Sequence, residues 1–460
     1  MKKIFFILFL IPIIITSVTS CGVSQKHWHN IEQQMRYGEL EDATLAIDEK
    51  KESEYGERNA VLYYLDKAIL LHHLGKYQES TKYFDLAEKK IDDLYTVSIS
   101  NQAASLTTND NLVPYDGEDF EEALLNLFTA LNFAYAGDWE NALVEGRQVD
   151  HQLQVLSDRY EKENKDLKED EKPTKVVYTE DAFIRYLMGL FFEAQGEYND
   201  ALIFFRKAYE AYQKYEKYYN TKTPEIVIQD YLRQLKSSGL KNEFAEIQKK
   251  HPGVKYLSRK EYDKHASVIF IHYAGFAPYK EDEVVGTAQF GYIAGPNVAL
   301  PYYVPRPPYI QKAQIKLKGK KEYIQETVLA ENITKIAVRN LEDRYPSIVR
   351  RAIARLVIKE GVKFATKVMS KADNDTVKAV GTVLNIGTII AAWATERADK
   401  RSWRLLPASI NIARVYVKPG KYKLDAKFLN KYNNPQFSES FGEMTLQSKE
   451  IKVIGFRTYR

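Results

Sequence analysis

An unbroken apolar run from residue 4 to 15 opens the chain, preceded by Lys2 and Lys3 and followed by Thr16, Ser17, Val18, Thr19, Ser20 and Cys21. Two basic residues, about a dozen apolar ones and a string of small ones predict a secretory signal over residues 1–20. The run is too short to span a bilayer, which takes roughly 20 apolar residues. Beyond it the pattern acquires a helical period. The apolar stretches 61–74, 120–136 and 181–194 each end at a glycine and are followed by a second helical stretch, so they predict pairs of antiparallel helices.

Four second helices share one pattern: a glycine, an aromatic or Leu two residues on, and a small residue three beyond that. They are Gly38 with Leu40, Ala43 and Ile47; Gly75 with Tyr77, Ser80, Phe84 and Ala87; Gly137 with Trp139, Ala142, Gly146 and Val149; and Gly196 with Tyr198, Ala201, Phe205 and Ala208. This resembles the second helix of tetratricopeptide repeats. Glycine closes the turn, small residues let the helices approach, and aromatics fill the groove between units. The turn glycines are 37, 62 and 59 residues apart. Against a repeat of about 34 residues, the array is therefore interrupted. The added segments, 96–117 and 157–174, are polar or charged and read as loops or solvated helix extensions. A helical repeat domain is thus expected over 21–250.

After residue 250 the texture changes. His251, Pro252 and Gly253 mark a break, and 266–273 is a β-branched run typical of a buried strand. Residues 275–282 turn the chain. Residues 286–308 are rich in Gly, Pro and Tyr, with extended backbone at Pro301, Pro305, Pro307 and Pro308, and 311–318 alternates as a strand. Helices are expected over 346–372 and 375–400. The core of the second, 377–394, is apolar apart from Lys378 and Asn385; it reads as a buried core helix, with a partner interface and membrane insertion as the alternatives. The end returns to β structure over 410–417, 422–428 and 450–456, with Pro419-Gly420 as a hairpin turn. The expected architecture is a mainly α repeat array followed, over 251–460, by an α+β domain with antiparallel strands.

Three groups of residues carry a family resemblance. Ala398-Asp399-Lys400-Arg401-Ser402-Trp403, with Leu406-Pro407-Ala408, Ala413-Arg414-Val415 and Pro419-Gly420, form the first; Gly275-Phe276-Ala277-Pro278-Tyr279-Lys280 and Tyr303-Val304-Pro305-Arg306-Pro307 are the others. Together they resemble an uncharacterised family of bacterial envelope lipoproteins with tetratricopeptide repeats. The resemblance implies the architecture above and a link to cell-wall assembly; it brings no activity with it.

Composition narrows the chemistry. Cys21 is the only cysteine, so no intrachain disulfide forms. The ending Val18-Thr19-Ser20-Cys21 resembles a lipobox, in which the cysteine receives diacylglycerol, and Cys21 is accordingly the expected lipidation site. Gly22, where an aspartate would retain the protein in the inner membrane of enteric bacteria, favours the outer membrane, facing the periplasm. With 66 basic and 62 acidic residues the charge is near balance, giving no argument for nucleic acid. His-Glu-x-x-His, a phosphate loop and the Gly-x-Ser-x-Gly elbow are all absent. His27-Trp28-His29 and His72-His73 lack convergent acidic ligands and read as packing or surface residues rather than metal sites. Trp403 and Arg401 read as a structural corner. No catalytic, cofactor or metal residue is expected. The sequence points to a non-enzymatic scaffold, held to the membrane by lipid on Cys21 and binding a protein partner, with homo-oligomers left open. The alternative is a peptidoglycan- or polysaccharide-binding factor or enzyme whose site lies around 286–309.

Overall fold

The computed structural model describes residues 22–100, 113–163, 181–286, 297–360 and 398–460. Cys21, the segment 1–20 and the apolar stretch 377–394 lie outside them. Among the described residues no helix is long and apolar enough to cross a membrane.

Among the described residues of the first half, ten helices of ten or more residues are present: α1 (Gln25–Tyr37), α2 (Leu40–Glu49), α3 (Ala60–His73), α4 (Tyr77–Ser100), α5 (Asp119–Ala136), α6 (Trp139–Glu163), α7 (Ala182–Ala194), α8 (Tyr198–Tyr219), α9 (Glu225–Ser237) and α10 (Lys241–Lys250). They run as antiparallel pairs, α1/α2, α3/α4, α5/α6, α7/α8 and α9/α10. Each pair turns at a glycine in the left-handed region: Gly38, Gly75, Gly137, Gly196 and Gly239, with φ between +72° and +81°. The same two hydrogen bonds close every turn. In the turn at Gly75, for instance, Gly75 N–H donates to His72 O and Lys76 N–H to Leu71 O, which satisfies carbonyls that the helix end leaves open. The turn at Gly239 escaped the sequence pattern because Lys241, not an aromatic or Leu, stands two residues on.

Close approach of the helices rests on two bare backbones. A Cβ on Gly146 of α6 would fall 1.5 Å from Met188 Sδ, and one on Gly189 of α7 would fall 2.5 Å from the Phe205 ring. The small residues anticipated from the pattern, Ala43, Ser80, Ala142 and Ala201, are all fully buried.

The described residues of the second half hold ten strands: β1 (Ala266–Ala274), β2 (Tyr279–Gly286), β3 (Asn297–Val304), β4 (Ile310–Lys318), β5 (Glu322–Glu326), β6 (Val328–Glu331), β7 (Ser409–Val417), β8 (Gly420–Asn430), β9 (Pro435–Leu446) and β10 (Ile451–Thr458), with a short helix α11 (Arg259–Tyr262) ahead of them and α12 (Ile333–Glu360) between β6 and β7. Two four-stranded sheets, ordered β10-β1-β7-β6 and β5-β4-β8-β9, accompany a β2-β3 ribbon. Pairing is antiparallel except between β1 and β10, which run parallel with Ser267 opposite Ile451.

The position of β1 explains why its sequence is mostly apolar, with Ser267 and His272 buried against Arg414 and Thr458 as the polar exceptions. Ile269, Ile271 and Tyr273 join the core formed with the helices, whereas Val268 and Phe270 join a second core shared with Ile315, Leu317, Leu424 and Phe428. A strand buried on both faces cannot alternate with polar residues. The layers are therefore helices, central sheet, outer sheet, and the helical core is continuous with one face of the central sheet.

One expectation needs correction. The helix expected to start at Pro346 begins at Ile333 and runs through that proline. Asn332 starts it, its Oδ1 accepting from Lys335 N–H at 3.1 Å. Proline favours a first turn but tolerates an interior place where the packing holds the helix.

Candidate functional site

The three segments that carried the family resemblance converge. The loop after β1 crosses Gly275, whose positive φ and bare Cα sit against Pro308; a Cβ there would lie 2.9 Å from the Pro308 Cβ. Ala277 N–H donates to Leu406 O at 2.7 Å and Ala408 N–H to Ala274 O at 2.9 Å. Arg306 completes the knot, Nε to Ala277 O at 2.6 Å and Nη2 to Arg404 O at 2.9 Å. The first described residues meet the same place. Ser24 caps α1 and is bound to Glu54 through its N–H and hydroxyl, while Gln25 Oε1 accepts from Arg404 Nη1 at 2.7 Å.

Charged side chains fill the junction in three groups. The first is a closed square of ion pairs beneath β1 and β7. Arg233 of α9 donates to Asp230 and to Glu193 at 2.6 Å each, and Arg414 of β7 donates to Asp230 at 2.7 Å and to Glu193 at 2.8 Å. Tyr186 and Tyr416 add hydroxyls to Asp230 at 2.7 and 2.5 Å. All four charged side chains are at most 1% exposed. Burial opposes ionisation of Asp230, but Arg233 and Arg414 outweigh it and hold the carboxyl at about 2. The square balances two cations with two anions and binds three elements of the helical half and the sheet into one unit.

The second group surrounds the start of α5. Lys280 pairs with Glu118, which also takes Arg344 at 3.1 Å. Burial alone would raise the Glu118 carboxyl; these two cations pull it below its usual range. Glu121 accepts from the Tyr115 hydroxyl and from Trp403 N–H, both at 2.6 Å. Burial, and then the charge on Glu118, push it up to about 7. Arg401 is held by Asp399 at 2.7 Å and reaches Val113 O at 2.9 Å. Trp403 is fully buried against Phe84 and Phe128. Arg401 and Trp403 thus tie helices to the strands.

The third group is an arginine and aromatic cluster at the rim. The guanidiniums of Arg36, Arg306 and Arg457 lie 5.0, 5.2 and 5.2 Å from the Phe276 ring centre. Tyr279 lies between Arg306 at 5.6 Å and Arg404 at 4.7 Å. Glu32 accepts from Arg306 at 2.5 Å and from Arg404 at 3.4 Å.

Of the histidines noted in the sequence, His29 is exposed, whereas His27, His72 and His73 pack against aromatic or polar neighbours. His27 and Trp28 stand edge-on to Tyr55. His72 Nδ1 meets Asn132 Oδ1 at 2.7 Å, and His73 Nε2 meets Arg457 Nη1 at 2.9 Å. Burial lowers the pKa of His72 to about 4 and pushes His73 well down, so both are neutral at neutral pH. Among the described residues no group of three or more His, Cys, Asp or Glu is placed to hold a metal ion. In the 286–309 region Tyr303 is buried, Tyr302 and Tyr309 are exposed, and 287–296 lies outside the described residues.

Sequence reasoning missed the square and the rim cluster, because their members are spread from residue 32 to 457. One signal was available: Arg414 stands within an apolar strand, where a cation needs a buried partner.

No protein-family model and no curated protein matches the chain. Solved structures similar to part of it include the following two. "MamA RS-1 ArsTM double mutant" is 16% identical and covers 50% of this chain and 94% of its own, with a TM-score of 0.30. "Crystal structure of BtubC (BKLC) from P. vanneervenii" is 13% identical and covers 50% of this chain and 81% of its own, also with a TM-score of 0.30. At that score neither likeness carries an argument about this protein.

Proposed function

We propose that this chain is a non-enzymatic scaffold of the bacterial cell envelope. Lipid on Cys21 anchors it, at the outer membrane facing the periplasm, and its tetratricopeptide-like helical repeats bind a protein partner. The convergence of 275–280, 303–307 and the segment from residue 398 fits the resemblance to envelope lipoproteins, since segments that define one family are expected to share one structural task.

The observation that carries the reading is repetition in three dimensions. Five and nine residues after the turn glycine, Ala43 and Ile47, Ser80 and Phe84, Ala142 and Gly146, and Ala201 and Phe205 are buried. Seven residues after it, Leu45, Val144 and Ile203 stand 58%, 44% and 45% exposed. Equivalent aliphatic side chains on the first, third and fourth hairpins, with Lys82 and Glu246 in that place on the second and fifth, give the kind of surface on which helical arrays take protein ligands.

Two experiments test the two parts. Radiolabelled palmitate should enter the wild type and not Cys21→Ser; equal labelling removes the anchor. Leu45→Glu, Val144→Glu and Ile203→Glu together should abolish recovery of a co-purifying protein while leaving the circular dichroism spectrum unchanged. Binding to sedimented peptidoglycan with no protein partner retained would favour the polysaccharide-binding alternative instead.

A further inference from the structure

The rim cluster differs from the other two charged groups in one respect: its charges do not balance. In the square every guanidinium faces two carboxylates, and burial, which on its own would depress Arg233 and Arg414, is outweighed so that both are held well above their ordinary range. At the rim burial prevails. It lowers Arg306 and Arg404 and takes Arg457 down to about 10, with neighbouring guanidiniums adding to the effect.

The hydrogen bonds say the same. Among the described residues Glu32 is the one carboxylate within ion-pair distance of these four arginines. The remaining contacts go to neutral acceptors: Gln25 Oε1, the carbonyls of Gly275, Ala277, Arg404 and Tyr459, and His73 Nε2. His73 is neutral, so it accepts from Arg457 and supplies no charge. Arg404 and Arg457 are more than nine-tenths buried and the Nε of each has no partner, as is also true of Arg233 and Arg414 in the square, so the difference between the two groups lies in the charge. Four cations thus face one anion, with donors unused, and Arg36 lies exposed at the edge.

We infer that Arg36, Arg306, Arg404 and Arg457 form a binding site for a phosphate oxyanion, carried by an anionic lipid headgroup or free in solution. Forked guanidinium donors suit phosphate oxygens, which they engage two at a time. Phe276 and Tyr279 hold the planes apart and in place. Position favours the lipid as source: Gln25, in contact with Arg404, is four residues after Cys21, and four extended residues span at most about 14 Å. An acyl group on Cys21 would bring the cluster to the headgroup layer. The choice of a lipid source rests on the anchored reading above; phosphate binding itself does not.

The test uses the full chain in an uncharged detergent and three probes: inorganic phosphate, micelles doped with phosphatidylglycerol, and micelles doped with phosphatidylcholine, whose phosphate is paired with its own choline. Thermal unfolding midpoint against probe concentration gives the apparent affinity. Saturable stabilisation by phosphatidylglycerol alone identifies a lipid site, and stabilisation by inorganic phosphate to the same extent identifies a soluble ligand; both support the proposal. Arg36→Gln, at an exposed position, should weaken the effect about five-fold, the factor that one basic residue contributes near an anionic surface. Glu32→Gln removes the resident anion and should strengthen it by a similar factor. No saturable response to phosphate or phosphatidylglycerol, or the same direction of change in both variants, overturns the proposal. Palmitate labelling is scored separately, so a failed anchor and a failed phosphate site give different results.

Discussion

Replacing Arg414 with Met tests the role assigned to the ion-pair square. The change removes hydrogen bonds to Asp230 at 2.7 Å and Glu193 at 2.8 Å, together with a longer one to Ser267 at 3.3 Å. Two carboxylates then share Arg233, leaving one buried negative charge. Breaking a buried pair from one side costs about 3 to 5 kcal/mol. Protonation sets a ceiling on that cost: neutralising a carboxyl of ordinary pKa near 4 at about pH 7 takes roughly three units, or about 4 kcal/mol. The expected loss at neutral pH is therefore about 3 to 4 kcal/mol, read from urea denaturation followed by circular dichroism.

The pH dependence is the sharper part. In the wild type Asp230 is held at about 2, below its ordinary value of 3.8, so its contribution is present above 3.8 and is lost as pH falls through 2. In the variant one carboxyl is raised instead, and its protonated form becomes cheaper as pH falls. The gap between the two proteins should close by up to about 1.4 kcal/mol per pH unit on the way from neutral pH to about 4. A gap that is small at pH 7, or that stays constant to pH 4, would refute the argument that the square is an electrically closed joint.

Two further outcomes follow from the packing and from the second charged group. Gly189→Ala places a Cβ 2.5 Å from the Phe205 ring and should destabilise the protein by about 1 to 3 kcal/mol as α7 and α8 are forced apart, measurable as a lower urea midpoint. Glu121 is raised from 4.5 to about 7, so its contribution is present below 4.5 and is lost as pH rises through 7, a drop of about 3 kcal/mol; Glu121→Gln should flatten the fall in wild-type stability between about pH 5 and pH 8, and an unchanged slope in urea midpoints would count against it.

The helical turns were legible because a left-handed turn needs glycine and a close crossing needs a small residue, and both demands are local. The buried strand β1 was legible because two buried faces leave no room for alternation with polar residues. β9 was not: its residues are exposed along almost the whole strand, so Gln436, Ser438, Glu439 and Ser440 carry no inside and outside to read. β5 is short and mostly exposed, β6 is only four residues long, and α12 was placed too late because Pro346 imitates a helix start. The candidate site was legible only as three unconnected segments. What joins them, Arg306 reaching the Ala277 and Arg404 carbonyls and Glu32, spans 274 residues to its acidic partner, and no periodicity records such a pairing.

The parallel pairing of β1 with β10 has a bearing on how the molecule is made. Residues Ser267 and Ile451 are neighbours in the sheet, so β1 waits for a strand that is made well after it. The hairpins from α1 to α10 are built from local contacts and can form as they emerge, but the strand bearing Ile269, Ile271 and Tyr273 cannot be flanked on both sides until β10 arrives. Such long-range closure is slow, and until it happens an unpaired strand edge and its apolar side chains are open to other chains. In that interval the helical hairpins can be formed while one edge of β1 is still open, which is when the chain is most prone to associate with other copies.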